Sequence, residues 1–160
     1  MLTVRVICVG RLRERFYTDA FAEYAKRLGA YCKFECLELA ETRLSDAPSA
    51  KEIAAALDKE SMEILKVIPD GAYLVALCVE GKSLPSEAIA ELLSGRENSG
   101  KPKLCFVFGG SYGLSPVVKS KADLKLSMSA MTFPHHLARI MLAEQIYRGF
   151  KIKEGSKYHK

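Results

Sequence analysis

The chain has 160 residues, the size of one domain, so a single hydrophobic core spanning residues 1–160 is the expectation. With 49% hydrophobic and 27% charged residues the composition is that of a globular protein, and it excludes a disordered or fibrous chain. The net charge of +5 is concentrated at one end: Arg148, Lys151, Lys153, Lys157 and Lys160 stand against Glu154 alone, which makes the tail 151–160 either a phosphate-binding segment or a solvated terminus.

The opening stretch Leu2 to Val9 is β-rich and ends at Gly10. Arg5 interrupts it where a signal peptide would be apolar. Arg11, Arg13 and Arg15 then form a basic loop before an amphipathic helix from about Asp19, in which Phe21, Tyr24, Ala25 and Leu28 recur at helical spacing; Gly29 sits where a left-handed cap falls. Phe34 to Leu39 mixes apolar and acidic residues in short alternation, the pattern of a half-buried strand near a sheet edge. After the polar loop Glu41 to Pro48, Ser49-Ala50-Lys51-Glu52 reads as a capping box. The long helix that follows carries Ile53, Leu57, Ile64, Leu65 and Ile68 as its apolar stripe.

Ala72 to Val79 is the longest apolar run, eight residues against the roughly 20 of a membrane span, so it predicts a buried strand, with Glu80-Gly81-Lys82 as a turn. Ala88, Ile89, Leu92 and Leu93 mark a short helix stopped by Gly95. Lys103 to Phe108 predicts another buried strand running into Gly109-Gly110-Ser111-Tyr112-Gly113, and Ser115-Pro116 supplies an N-cap and a first-turn proline. Leu124 to Met128 is the last strand, Ser129 to Pro134 a loop, and His135 to Phe150 the final helix. The five cysteines, Cys8, Cys32, Cys36, Cys78 and Cys105, form no C-x-x-C pair and lie mostly in apolar stretches. They read as reduced, buried thiols of a cytoplasmic protein, without zinc or a disulfide framework.

Alternating strands and helices argue for an α/β fold, a mostly parallel sheet with helices on both faces. Such sheets bind ligands outside the carboxyl ends of the strands, which places the candidate site at Leu77 to Gly81, Phe108 to Gly113 and Ser129 to Pro134. Glycines at 109, 110 and 113 let backbone N–H groups approach a ligand; a tight strand-to-helix turn is the bland alternative. The loop lacks the Gly-Lys-Ser/Thr ending of a P-loop, and Gly10 has no G-x-G-x-x-G around it, so ATPase and dinucleotide-binding readings lose their main support. His135 and His136 open the last helix, where the positive helix end depresses an imidazole pKa. They project about 100° apart with no further ligand at metal spacing, so no metal is expected. On the same helix Leu137, Ile140, Met141 and Tyr147 form one apolar stripe, and Leu142, Ala143, Ile146 and Phe150 a second. A helix apolar on most of its circumference predicts a partner subunit as cover. Glu144 falls inside the first stripe and needs a cation, for which Arg148 and Arg139 are the candidates.

Gly109-Gly110-Ser111-Tyr112-Gly113-Leu114-Ser115, Met131-Thr132-Phe133-Pro134-His135, Arg139, Ala143-Glu144-Gln145-Ile146-Tyr147-Arg148 and the terminal Tyr158-His159-Lys160 together resemble the RlmH family of small bacterial SPOUT-class methyltransferases. The likeness covers essentially the whole chain. It implies a C-terminal trefoil knot, which no pattern reading proposes because knots are nearly absent among folds. It also implies a homodimer that methylates ring nitrogen 3 of a pseudouridine in 23S ribosomal RNA on assembled ribosomes, with S-adenosylmethionine as donor. The family's cofactor contacts fall on Leu77, Gly109, Gly110, Ser129, Ala130, Met131, Thr132, Phe133 and Pro134, the strand-end segments already singled out. His135, Arg148, Tyr158 and His159 are the catalytic candidates. A non-catalytic ribosome- or RNA-binding module is the alternative function.

Overall fold

The structure is a computed structural model and describes residues 1–160. Strands and helices alternate: β1 Thr3–Val9, α1 Arg15–Leu28, β2 Lys33–Leu39, α2 Ala50–Val67, β3 Tyr73–Ser83, α3 Ser86–Glu97, β4 Lys103–Phe108, α4 Pro116–Lys121, β5 Leu124–Ser127 and α5 His135–Lys153. Each strand is followed by a helix, so each crossover returns the chain in the same direction. The result is one five-stranded sheet in the order β2-β1-β4-β3-β5, parallel at every pairing. All five carboxyl ends therefore lie along one edge.

Alternation along the strands divides the core in two. One face presents Val4, Val6, Cys8, Val75, Leu104 and Phe106 to Leu28 of α1, Ile89 and Leu93 of α3, and Leu142, Ile146 and Phe150 of α5. The other presents Ile7, Val9, Leu74, Ala76, Cys105 and Val107 to Ile64 of α2 and Val118 of α4. The half-buried strand predicted at Phe34 to Leu39 is β2, at the sheet edge. Ser49 and Ser115 cap α2 and α4, each accepting a backbone N–H three residues on, from Glu52 and Val118. All five cysteines are free thiols. No helix is long and apolar enough to cross a membrane.

Several local signals are overridden by packing. α1 starts at Arg15, four residues before the expected point, with Tyr17 of its first turn set edge-on to His136 at 5.8 Å. Gly29 is right-handed (φ −58°); its N–H bonds back to Ala25 and Lys26, and Tyr31 to Leu28, so the helix ends without a left-handed residue. α3 runs through Gly95 to Glu97, because that glycine faces open space and nothing forces a stop. On α2 the buried line is Ala56, Glu60, Ser61 and Ile64; Ile53, Leu57, Leu65 and Ile68 are only half-buried.

The largest correction concerns Glu80-Gly81-Lys82. It is no turn; β3 continues to Ser83, with a jump in register that sets Leu126 opposite both Leu77 and Lys82. A Cβ at Gly81 would lie 2.7 Å from the backbone of Leu126, so only glycine lets the two chains pass. A second close passage lies at Gly109, where a Cβ would meet the carbonyl oxygen of Gly113 at 2.2 Å.

Candidate active site

β4, β3 and β5 are neighbours, so the three strand-end segments expected to converge leave the sheet side by side. Leu77 is the last buried residue of β3 before the register jump, and Val79 beyond it is exposed. At the end of β4 the Gly113 N–H donates to the Gly110 carbonyl at 3.0 Å, closing a loop in which Gly113 has φ +77°. After β5, Ser127 Oγ donates to the Ser129 carbonyl and Ser129 Oγ accepts the Met131 N–H at 3.0 Å. These bonds hold the start of the loop, while Ala130, Met131, Thr132 and Pro134 stay exposed and Ser129 and Phe133 half-buried. Small residues and free peptide groups are what a close-fitting organic ligand requires there.

Glu41 was not visible as a site residue in the sequence. It comes from the loop after β2, and its Oε1 accepts the Ser111 N–H at 2.7 Å. A Cβ at Gly110 would lie 2.5 Å from that same oxygen, so the space beside this buried glycine is held by one flexible side chain. His135 lies beside it. Burial pushes its imidazole below the ordinary histidine range and His136 adds to this, while Glu41 and the Gly110 carbonyl pull the other way. His136 faces Glu14 at 3.7 Å.

Arg139, offered above as a partner for Glu144, belongs elsewhere. It is 2% exposed, and its Nη1 donates to Glu38 Oε2 at 2.7 Å while its Nη2 donates to the Gly10 carbonyl at 3.1 Å. The same Glu38 oxygen accepts the Leu12 N–H at 2.8 Å. The start of α5 is thereby fastened to the ends of β1 and β2.

Glu144 takes Arg148 instead: Nε and Nη2 both donate to its Oε1, at 2.9 and 2.6 Å. Tyr158 OH donates to that oxygen at 3.1 Å, and Gln145 to Oε2 at 2.8 Å. Arg148 lies over the Tyr158 ring, 4.8 Å from its centre, and 3.3 Å from His159 Nδ1; His159 Nε2 meets Glu87 at 2.8 Å. The guanidinium pKa is raised by Glu144, and Tyr158 is pushed up to about 12 by burial and by the same carboxylate. The tail is therefore packed onto α5 and α3, with Tyr158 against Tyr147.

The catalytic candidates thus form two groups. His135 stands by the glycine loop; Arg148 is thirteen residues along α5, about 20 Å away at 1.5 Å per residue, with Tyr158 and His159 around it. Between the groups runs an unburied face of α5, Leu137, Ile140 and Met141, with a depression of about 300 Å³ lined by Tyr24, Ile140, Met141, Glu144 and Gln145. The second stripe, Leu142, Ala143, Ile146 and Phe150, is the one turned to the core.

A parallel sheet with glycine-rich and small-residue loops at adjacent strand ends defines an α/β protein of the kind that binds a ligand beyond the carboxyl ends of its strands, and the comparisons name the family. The family model described as "Predicted SPOUT methyltransferase" matches residues 2–159, and the chain belongs to that family. It is 46% identical over 159 residues to the protein named "Ribosomal RNA large subunit methyltransferase H" of Streptococcus thermophilus, and 43% identical to the protein of that name from Streptococcus pyogenes. Each alignment covers 99% of this chain and 100% of the relative, which bears out the resemblance drawn from the motifs. Among solved structures, a probable methylase family protein from Haemophilus influenzae superposes with a TM-score of 0.54 at 15% identity, covering 98% of this chain and 70% of that one. A structure concerned with 2-OH methylation of C/U34 on tRNA gives 0.51 at 17%, covering 94% and 97%. These two share the fold.

Proposed function

We propose that this chain methylates ring nitrogen 3 of a pseudouridine in 23S ribosomal RNA, acting in the cytoplasm on assembled ribosomes, with S-adenosylmethionine as donor. The observation that carries the reading is the open glycine loop, flanked by the ends of β3 and β5, in a chain aligned over its full length with large-subunit methyltransferases. The residues fit such a donor: at Gly110 the nearest atoms to the space a side chain would take belong to the flexible Glu41 side chain, and the loop 129–134 offers exposed residues at the end of β5. Leu77, Gly109, Gly110 and Ser129, Ala130, Met131, Thr132, Phe133 and Pro134 would hold it. When bound, it supplies a methyl group already activated on sulfur. The trefoil knot implied by the family accords with the two backbone passages at Gly81 and Gly109.

What remains for the protein is to place the acceptor nitrogen in line, exclude water, and favour loss of the imide proton. Arg148, its charge held by Glu144, is suited to stabilise the resulting anion; Tyr158, protonated at neutral pH, serves as a hydrogen-bonding group and not as the base. These groups are about 20 Å from the donor loop of their own chain, so they serve it by crossing a homodimer. The uncovered stripe Leu137, Ile140 and Met141 on the same helix is the surface for that dimer.

The test is methyl transfer from labelled S-adenosylmethionine to whole ribosomes, free subunits and naked RNA in parallel, with the modified nucleoside identified by mass spectrometry. Methylation of a pseudouridine at nitrogen 3 on ribosomes is expected; cofactor binding without any transfer would leave a binding module. Mixing Gly110→Val with Tyr158→Ala protein tests the composite site. Each alone is inactive, and mixed dimers regain up to a quarter to a half of the activity if the two groups come from different chains.

A further inference from the structure

A cavity lies apart from the donor loops of β3 and β5. It measures about 840 Å³ and opens between the Gly10–Arg13 segment, the loop 40–46, α2 and the glycine loop at Ser111 and Tyr112. Arg11, Arg13 and Arg43 line it, all exposed, beside the carboxylates of Glu41, Asp46 and Glu60; Glu41 accepts the Ser111 N–H and Glu60 the Thr42 N–H, and none of the three arginines forms an ion pair with any carboxylate of the chain. Free surface arginines are common, but the mounting of these is not. The backbone before Arg11 is held by Arg139 through the Gly10 carbonyl, and the backbone after it by Glu38 through the Leu12 N–H; Arg139 and Glu38 are themselves paired, and Arg139 is buried. Gly10 turns there at φ +100°, a conformation that aims the next residue away from the strand. On the opposite wall the Glu41 to Ser111 bond ties the loop carrying Arg43 to the glycine loop. The backbone that carries the three guanidiniums is thus held around a space that also borders Ser111, Tyr112 and His135, beside the glycine loop.

We propose that this cavity is a second RNA subsite, which takes the sugar-phosphate of an unpaired nucleotide neighbouring the one that is methylated. The inference rests on the function proposed above and adds a substrate contact to it. Guanidinium groups suit the ligand because their planar fork meets two phosphate oxygens at once. The volume is that of a pocket for one small organic group, in keeping with a splayed nucleotide of a loop rather than a duplex. The cavity's half-buried histidine wall, His135, connects it to the start of α5, so a strand entering here is led toward the donor loop.

The experiment measures ribosome binding by the full-length protein without requiring methyl transfer, so its failure is separable from failure of the proposed function. For Arg11→Ala/Arg13→Ala and for Arg43→Ala, equilibrium binding to ribosomes is followed against salt, alongside S-adenosylmethionine affinity. The expected result is at least tenfold weaker ribosome binding, and a salt slope reduced by about 0.7 for each lost contact to single-stranded phosphate. Donor affinity stays within twofold of wild type. A photo-crosslinker placed at Arg43 should attach to ribosomal RNA. Unchanged binding and slope overturn the subsite, as does crosslinking to ribosomal protein alone. A donor affinity that falls with the arginines overturns it too, because the cavity would then belong to the cofactor.

Discussion

At the amino end of α5 the chain is packed backbone against backbone, with glycine at each close passage and a buried Arg139, paired with the exposed Glu38, behind it; at the carboxyl end, tail and helix meet through side chains. The first arrangement leaves no slack, since a peptide group cannot move aside without moving its strand. The second can loosen one contact at a time. Rigid holding suits a donor bound in a fixed bend, and an adjustable cluster suits a group that must close on a large substrate.

The contrast is broken most severely at Gly109. Gly109→Ala puts a methyl group 2.2 Å from the Gly113 carbonyl oxygen, and Gly81→Ala puts one at 2.7 Å from Leu126, so each should cost about 3 kcal/mol or fail to fold in denaturant titrations. Gly110→Ala, whose nearest obstruction is the flexible Glu41 side chain, should fold and lose donor affinity instead. Ion pairs follow in the same order. Glu38→Ala strands a 2%-exposed Arg139 and should cost about 3 kcal/mol, whereas Glu144→Ala leaves Arg148, whose side chain is 25% exposed, and should cost about 1 to 2 kcal/mol by chemical denaturation. Equal losses would show that burial does not separate the two ends.

Truncation after Lys153 should remove about 1 kcal/mol, the worth of the Tyr158 packing and hydrogen bond, leaving dimer and donor affinity intact while abolishing transfer to ribosomes. The smallest effect is at His135. Its folded pKa lies below the unfolded value near 6.5, so the unfolded chain binds the proton more tightly; its contribution is present above pH 6.5 and is lost as pH falls toward the folded pKa. His135→Gln should flatten that part of the stability curve, read from melts between pH 5 and 7.

Much of this was legible in the residues. The parallel sheet, the buried run from Ala72, the caps at Ser49 and Ser115 and the strand-end segments all follow from local pattern, because apolar periodicity and capping chemistry act over a few residues. What escaped acts across the chain. Nothing near Glu41 signals that it would meet Ser111 seventy residues later, and although the i,i+4 spacing favours Arg148 for Glu144, nothing local shows that Arg139 is taken by Glu38 from across the chain. Gly81 looked like a turn because glycine favours turns and close passages alike, and only the position of β5 separates the two.

The division of the core also shapes the birth of the molecule. α5 supplies Leu142, Ile146 and Phe150 to the face shared with α1 and α3, yet it is the last element translated. Until residues 135–153 fold back, the part of that face between α1 and α3 that Leu142, Ile146 and Phe150 cover stays open. That face is therefore closed only by the element that follows all the others in the chain, so an incomplete chain exposes apolar surface that the finished fold hides.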